Sequence, residues 1–416
     1  MGQPLRIFYA AGPGDVLGTF RHWKDGHDDP SQVSVTYSGQ FYDVVRELDA
    51  QAYVVGSNPS GGSYRDANFR IEHCATPLQN RGGLLYHLGQ VWSSLRLLRK
   101  AWWFKADVMI IVCGSGHWFP FRLARLLGIK VIPTMHCVMW RKGRQPSRIH
   151  RMFNSLGKKF FRKTVSSIMT ASHDISDQVD SLTAGQHKPI SEFLPTYRPE
   201  QFSGLGPPPA ARNPFRVFYA GRIERDKGVF DLLEMAKRFD REGRGEIEFD
   251  VCGSGGALQE LRDAVQAAGP AIAARFRCHG HCNKPTMREM FSRAHTVIVP
   301  TTSDFIEGFN QVVAEGVLSG RPVITSSVCP ALEYVRDAVV EVPPDDVKAY
   351  GDAILKLCDD LPFYQAKAVA CCAAQGQFYD PARSWAYTLK SALHNAGLTA
   401  NLHHTSVQKS EPAPAM

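Results

Sequence analysis

The sequence has no long hydrophobic run. The longest strongly apolar, uncharged stretch, Val108 to Phe121, is 14 residues and is broken by Gly and His, short of the about 20 that a spanning helix needs. The opening MGQPLRIFYAAGPG has no basic segment followed by an apolar core, and Arg6 stands where a myristoylation signal has Ser or Thr, so neither a signal peptide nor a lipid anchor is expected. A cytoplasmic chain is the expectation. Charge is also too sparse for a disordered chain: 21% charged against 44% hydrophobic, with 23 Phe and 7 Trp, describes a globular protein. The ten cysteines are scattered, several at the ends of apolar runs, which suits free thiols in a reducing compartment. CHGHC (Cys278 to Cys282) lacks zinc-finger spacing, and one strand end cannot easily wrap four ligands round a tetrahedron, so no metal site is expected. Asp-x-Asp, a short acidic motif suited to a divalent ion, does not occur.

What is present is a double series of apolar strands alternating with helical patterns. At about 150 residues per domain the 416 residues allow two or three domains. Strands are expected at Arg6–Ala11, Ala52–Gly56, Val108–Cys113, Lys130–His136, Ser167–Ser172 and Glu192–Thr196. A second set is expected at Phe215–Gly221, Ile247–Gly253, Phe276–Gly280, Thr296–Thr301, Pro322–Ser326 and Val339–Val342. Apolar strands separated by helices mean parallel sheets covered on both faces. The fold class expected is α/β, two doubly wound Rossmann-like domains facing across a cleft. The expected division is a first domain over 1–200, a Pro-rich linker over 201–214, a second domain over 215–376, a closing helix over 377–396 and a disordered tail over 397–416.

Open parallel sheets bind ligands beyond the carboxyl ends of their strands. After the first strand of the second half comes AGRIERDKG. Arg222 and Lys227 there, a planar fork and a point charge beside a helix start, suit a diphosphate; a solvated charged turn is the plain alternative. After the fourth strand comes PTTSDFIEGFNQVVAEGVLSGRPVI. Glu307 precedes a helix expected from about Phe309 to Ser319, and Glu315 lies two turns on. A carboxylate there can hold sugar hydroxyls while the amides of Gly308, Phe309 and Asn310 face phosphate. Glu315 can grip a ribose diol, and its apolar neighbours make an unpaired carboxylate costly.

Together these pieces resemble the family 4 retaining glycosyltransferases of the two-Rossmann-domain (GT-B) fold. The resemblance runs from FYAGRIERDKG through VCGSGG and the Glu307/Glu315 pair to GRPVITSSVCPALEYV. It implies that Arg222 and Lys227 bind the donor diphosphate, that Glu307 acts on the donor sugar, and that Glu315 holds the ribose. Asn310 and Gly316 depart from the family pattern, which bears on donor identity. Gly253, Gly280 and His281 would lie at the nucleotide base. Gly12 and Gly14 would let the first strand's loop approach donor or acceptor. His136, closing KVIPTMH, matches a histidine that family members place beside the donor sugar, and is the second catalytic candidate with Glu307. GPGDVLG imitates a dinucleotide fingerprint, but no acidic partner ends the second strand, which disfavours a dehydrogenase. No cofactor or metal is expected, a nucleotide-diphosphate sugar being the co-substrate. A nucleotide-sugar epimerase of the same fold would also need these groups, and would form product without an acceptor.

The charge is uneven. Residues 1–200 hold 25 Lys and Arg against 15 Asp and Glu, or +10, leaving 23 against 25, or −2, for the rest. From Arg81 to Lys163 there are 17 basic residues and one acidic, Asp107, with Trp, Leu and Phe interleaved. That combination suits an anionic membrane surface, and the expected acceptor is lipid-linked or a polysaccharide. The alternatives are that Trp92, Leu95, Leu98, Trp102 and Trp103 only pack a helix on the sheet, or that the acceptor is soluble and acidic. No nucleic-acid module is recognisable.

Overall fold

The computed structural model describes residues 3–142, 146–304 and 306–399. Its first sheet contains β1 (Arg6–Gly12), β2 (Gln51–Gly56), β3 (Ser63–Arg65), β4 (Phe69–His73), β5 (Val108–Val112), β6 (Lys130–Met135), β7 (Ile168–Thr170) and β8 (Ile190–Glu192). Their spatial order is β3-β4-β2-β1-β5-β6-β7-β8, parallel except for β3, which pairs antiparallel with β4 at the edge. The second sheet contains β9 (Phe215–Ala220), β10 (Ile247–Cys252), β11 (Phe276–Gly280), β12 (Thr296–Val299), β13 (Val323–Ser326) and β14 (Val339–Val342), ordered β11-β10-β9-β12-β13-β14. Both are doubly wound, with the chain reversing direction across β1/β5 and β9/β12, the positions where such sheets leave a ligand crevice.

Central strands such as β5, VMIIV, are apolar throughout because helices cover both faces. The β3–β4 hairpin was not expected: its strands are short and alternate charged with apolar residues. The expected strand at Glu192–Thr196 is corrected to Ile190–Glu192. Beyond it Leu194 donates its amide to Arg383 and Tyr197 to Phe378, at 2.8 and 3.1 Å, so this segment bonds the returning chain instead of the sheet.

The expected linker is also corrected. Phe193 packs in the first domain's core, whereas Leu194, Tyr197 and Phe202 pack in the second's. Residues 201–214 are strapped to the second domain. The fully buried Arg321 guanidinium donates to the carbonyls of Gly206 at 3.0 Å and Pro207 at 3.4 Å, and Arg288 donates to that of Gln201 at 2.6 Å. The domain crossing therefore lies at Phe193/Leu194.

The chain returns through Gly376–Tyr379, a 3-10 turn at Pro381–Arg383, and a closing helix at Trp385–Asn395. Ser384 caps that helix by accepting from the Tyr387 amide, so it begins four residues after Pro381. Trp385, Leu389, Ala392 and Leu393 are fully buried in the first domain's core. Of the expected tail, Gly397 to Thr399 fold back, Leu398 donating to the Leu393 carbonyl at 3.1 Å; 400–416 lie outside the described residues. Trp385→Ala should lower stability by about 3–5 kcal/mol, and denaturant unfolding followed by tryptophan fluorescence would measure it.

Candidate active site

The facing carboxyl edges enclose a cavity of about 380 Å3. His136 and Cys137 enter from the end of β6, Arg222 and Lys227 from the turn after β9, and Glu307 to Asn310 from the segment before the helix Gln311–Leu318. Lys227 and Glu307 form an ion pair with both side chains largely buried, and Asn310 Nδ2 lies 3.4 Å from the same carboxylate oxygen. Cation and carboxylate thus hold each other in place, ready for a ligand that offers phosphate to one and hydroxyls to the other.

Asn310, one of the two departures from the family pattern, has φ 70°, a left-handed conformation that Asn tolerates better than most side chains. The other, Gly316, lets its helix lie close on the second sheet, since a Cβ there would sit 2.7 Å from Val323 Cγ2. The helix starts two residues later than expected, at Gln311. Its free first-turn amides therefore belong to Gln311 and Val312, which both line the cavity.

At Gly308 the two domains approach backbone to backbone. A Cβ on it would overlap the carbonyl oxygen of His136, so glycine is what permits this approach. The His136 ring is oriented by a buried chain. Trp385 Nε1 donates to Thr134 Oγ1 at 2.9 Å, and Thr134 Oγ1 lies 3.0 Å from His136 Nε2. The threonine hydroxyl, with one proton and two lone pairs, donates to or accepts from Nε2 according to the ring's tautomer, and the ring nitrogen left over is Nδ1. That nitrogen is buried and has no protein partner among the described residues. Burial pushes the His136 pKa down to about 3, so the ring is neutral at physiological pH.

Other expected residues lie off this wall. Glu315 is only 5% exposed and does not line the cavity. One turn beyond Gln311 on the same helix face, it is covered by Tyr197, whose hydroxyl neighbours the carboxylate. Gly253 and Gly280 are used in backbone packing: Gly253 donates its amide to Gly280 at 2.7 Å, and a Cβ on it would overlap the Gly221 carbonyl. His281 is exposed. Gly12 and Gly14 end β1 without reaching the cavity. In CHGHC the side chains diverge, His279 meeting Asp250 at 2.7 Å and Cys282 meeting Cys252 at 2.8 Å. Among the described residues no three His, Cys, Asp or Glu side chains converge as metal ligands. Sequence reasoning missed Tyr37 and Gln311 on the wall, as well as Thr134 and Trp385 behind it. Tyr37 opens a helix capped by Thr36, a position without any strand-end signal.

Residues 207–368 match the family model described as glycosyl transferases group 1. The 2-deoxystreptamine N-acetyl-D-glucosaminyltransferase of Streptomyces fradiae is 25% identical over 64% of this chain and 66% of its own length. This chain therefore spans just under two thirds of that relative. Among solved structures, a UDP-forming trehalose-phosphate synthase from Burkholderia xenovorans superposes with a TM-score of 0.70 at 12% identity, covering 96% of this chain and 100% of that one. Anabaena HepE superposes at 0.63 and 12%, covering 94% and 98%. The architecture is the GT-B fold, and the second domain is similar to the group 1 glycosyl transferases over residues 207–368.

Burial raises the Glu315 pKa from 4.5 to about 7, so between those values the folded state holds a proton that the unfolded state releases. Stability then falls as pH rises through that window, and the penalty is complete above about 7. Glu315→Gln should raise Tm at pH 8, with the gain shrinking toward zero near pH 4.5. Thermal melts across that range would check this; a gain independent of pH would remove the carboxylate as its cause.

Proposed function

We propose that this protein transfers a sugar, with retention at the anomeric carbon and without a divalent ion, from a nucleoside-diphosphate sugar to a lipid-linked or polysaccharide acceptor at the cytoplasmic face of a membrane. The observation that carries the reading is the convergence of Arg222, Lys227, Glu307 and His136 on one interdomain cavity. UDP bound in the Anabaena structure, and UDP-2-fluoro glucose in an Escherichia coli neighbour, support a nucleoside-diphosphate donor.

In this reading the diphosphate lies against Arg222, Lys227 and the amides of Gln311 and Val312. Glu307 accepts hydrogen bonds from sugar hydroxyls, and His136 Nδ1 pairs with one. The acceptor oxygen bonds to the anomeric carbon as that carbon's bond to the diphosphate oxygen breaks, and the hydroxyl proton passes to the departing diphosphate. Negative charge gathers on the leaving group, where the fixed cations and amides are most effective. Glu315 meets the ribose once Tyr197 moves aside. Gly253, Gly280 and His281 flank the base, and Gly12 and Gly14 the cleft.

The membrane reading rests on the helix Gly83–Trp103. Its buried side carries Gln90, Ser93 and Ser94 beside Leu97 and Leu98, whereas Leu84, Leu88, Trp92, Leu95, Trp102 and Trp103 face outward. Leu84 is 73% exposed and Trp103 65%, which excludes simple packing on the sheet as their role, although Leu98 is indeed core. The apolar face continues through the 3-10 stretch Phe119–Leu127 and the helix Arg148–Lys163, with Leu126 and Ile149 exposed. A helix that turns its largest apolar side chains outward among cations suits an anionic lipid surface, where each cation contributes about 1 kcal/mol. Among the described residues no helix is long and apolar enough to cross a membrane.

Glu307→Ala should abolish transfer while circular dichroism stays unchanged, and EDTA should leave wild-type turnover intact. Full activity of that variant, or an EDTA loss restored by manganese, would overturn the corresponding role. Wild-type protein should pellet with anionic vesicles at low salt and remain soluble with neutral ones; equal behaviour with both would end the membrane assignment.

A further inference from the structure

A second cavity, of about 720 Å3, opens on the other side of Glu307. Among the described residues, Glu307 is the one side chain that lines both cavities. The second wall comes mainly from the first domain. The helix Arg148–Lys163 contributes Arg151, Asn154, Ser155 and Lys158, a spacing of i, i+3, i+4 and i+7 that presents one face. Arg141 and Lys142 follow from the turn after β6, beside the indole of Trp140.

Some of these charges are already engaged. Lys142 meets Asp174 at 3.2 Å, and Arg141 meets Asp304 of the second domain at 3.6 Å. Arg151 and Lys158 have no carboxylate partner among the described residues. They stand about 10 Å apart along the helix axis, on a wall that also offers the neutral donors of Asn154 and Ser155. Two free cations with neutral donors between them match an anion with several acceptor oxygens, the guanidinium binding two in its plane and the ammonium taking another.

Resting on the donor reading above, we propose that this cavity holds the acceptor, and that the acceptor carries a phosphate group bound by Arg151 and Lys158 while its hydroxyl reaches the Glu307 end. Trp140 supplies a flat face for the acceptor's ring or chain. The phosphate can belong to a soluble sugar phosphate or to a lipid phosphate, a shared chemistry that different probes separate.

The test is calorimetric titration of the full chain and of Arg151→Gln/Lys158→Gln with inorganic phosphate, octyl phosphate, octanoate and UDP. Wild-type protein with UDP present should bind the phosphate probes, and the double variant should bind them about tenfold more weakly or worse while its UDP affinity is unchanged. Octyl phosphate binding well above inorganic phosphate supports a lipid-linked acceptor; equal binding supports a soluble one. Unchanged phosphate affinity in the variant, octanoate matching octyl phosphate, or displacement of the probe by UDP would overturn the proposal. Failure of wild-type protein to bind UDP would count against the donor reading alone, because the phosphate titrations are repeated without UDP.

Discussion

At one of the contacts between the two domains there is no room for a side chain. Gly308 of the second domain lies against the backbone of His136 in the first, and the chemistry is arranged round that contact. On one side the Lys227–Glu307 pair closes the smaller cavity; on the other the same Glu307 borders the larger one. A bulkier residue at 308 would clash with the His136 backbone and force the two edges apart. The approach is backbone to backbone, so its geometry is set by where the strands end and not by side-chain rotamers, which makes it a stiff reference for the groups around it.

Behind this contact lies a buried polar chain that starts in the last helix. Trp385 fills the first domain's core and at the same time supplies the hydrogen bond that orders Thr134 and, through it, His136. In a site of low dielectric each such bond is strong and a missing partner is costly. One residue therefore serves both stability and the orientation of the site's histidine. The crossing segments, bonded through Leu194 to Arg383 and Tyr197 to Phe378, are the natural place for the domains to pivot, because each side of the crossing belongs to a different core.

Much of this was legible in the sequence. The alternation of apolar strands and helices, the pair Arg222 and Lys227 after β9, and Glu307 after β12 are local patterns, and these three side chains line the smaller cavity. The linker was misread because its prolines and glycines advertise irregular backbone without saying what binds it; the answer, Arg321, is more than a hundred residues away. Glu315 was read as a ribose ligand from its place on the helix and from the family resemblance; its cover, Tyr197, comes from a segment read as leading into a linker. The support of His136 was hidden for the same reason: Trp385, which bonds Thr134 beside it, arrives from 251 residues further along the chain. The outward face of the helix Gly83–Trp103 was ambiguous because apolar residues lie on both of its sides, and only the burial of Gln90, Ser93 and Ser94 shows which side meets the core.

The double crossing also has a consequence for synthesis. Residues 6 to 193 contain all the strands of the first sheet, yet the domain's core stays open until Trp385, Leu389, Ala392 and Leu393 arrive. The second domain is continuous in sequence and can close on its own as it emerges from the ribosome. The first must wait, with its outward Leu and Trp side chains already exposed, until the second domain and the closing helix have been made. Nascent chains of this protein therefore pass through a long stage in which an incomplete core and an adhesive face coexist, the condition under which holding chaperones or early contact with a lipid surface matter most.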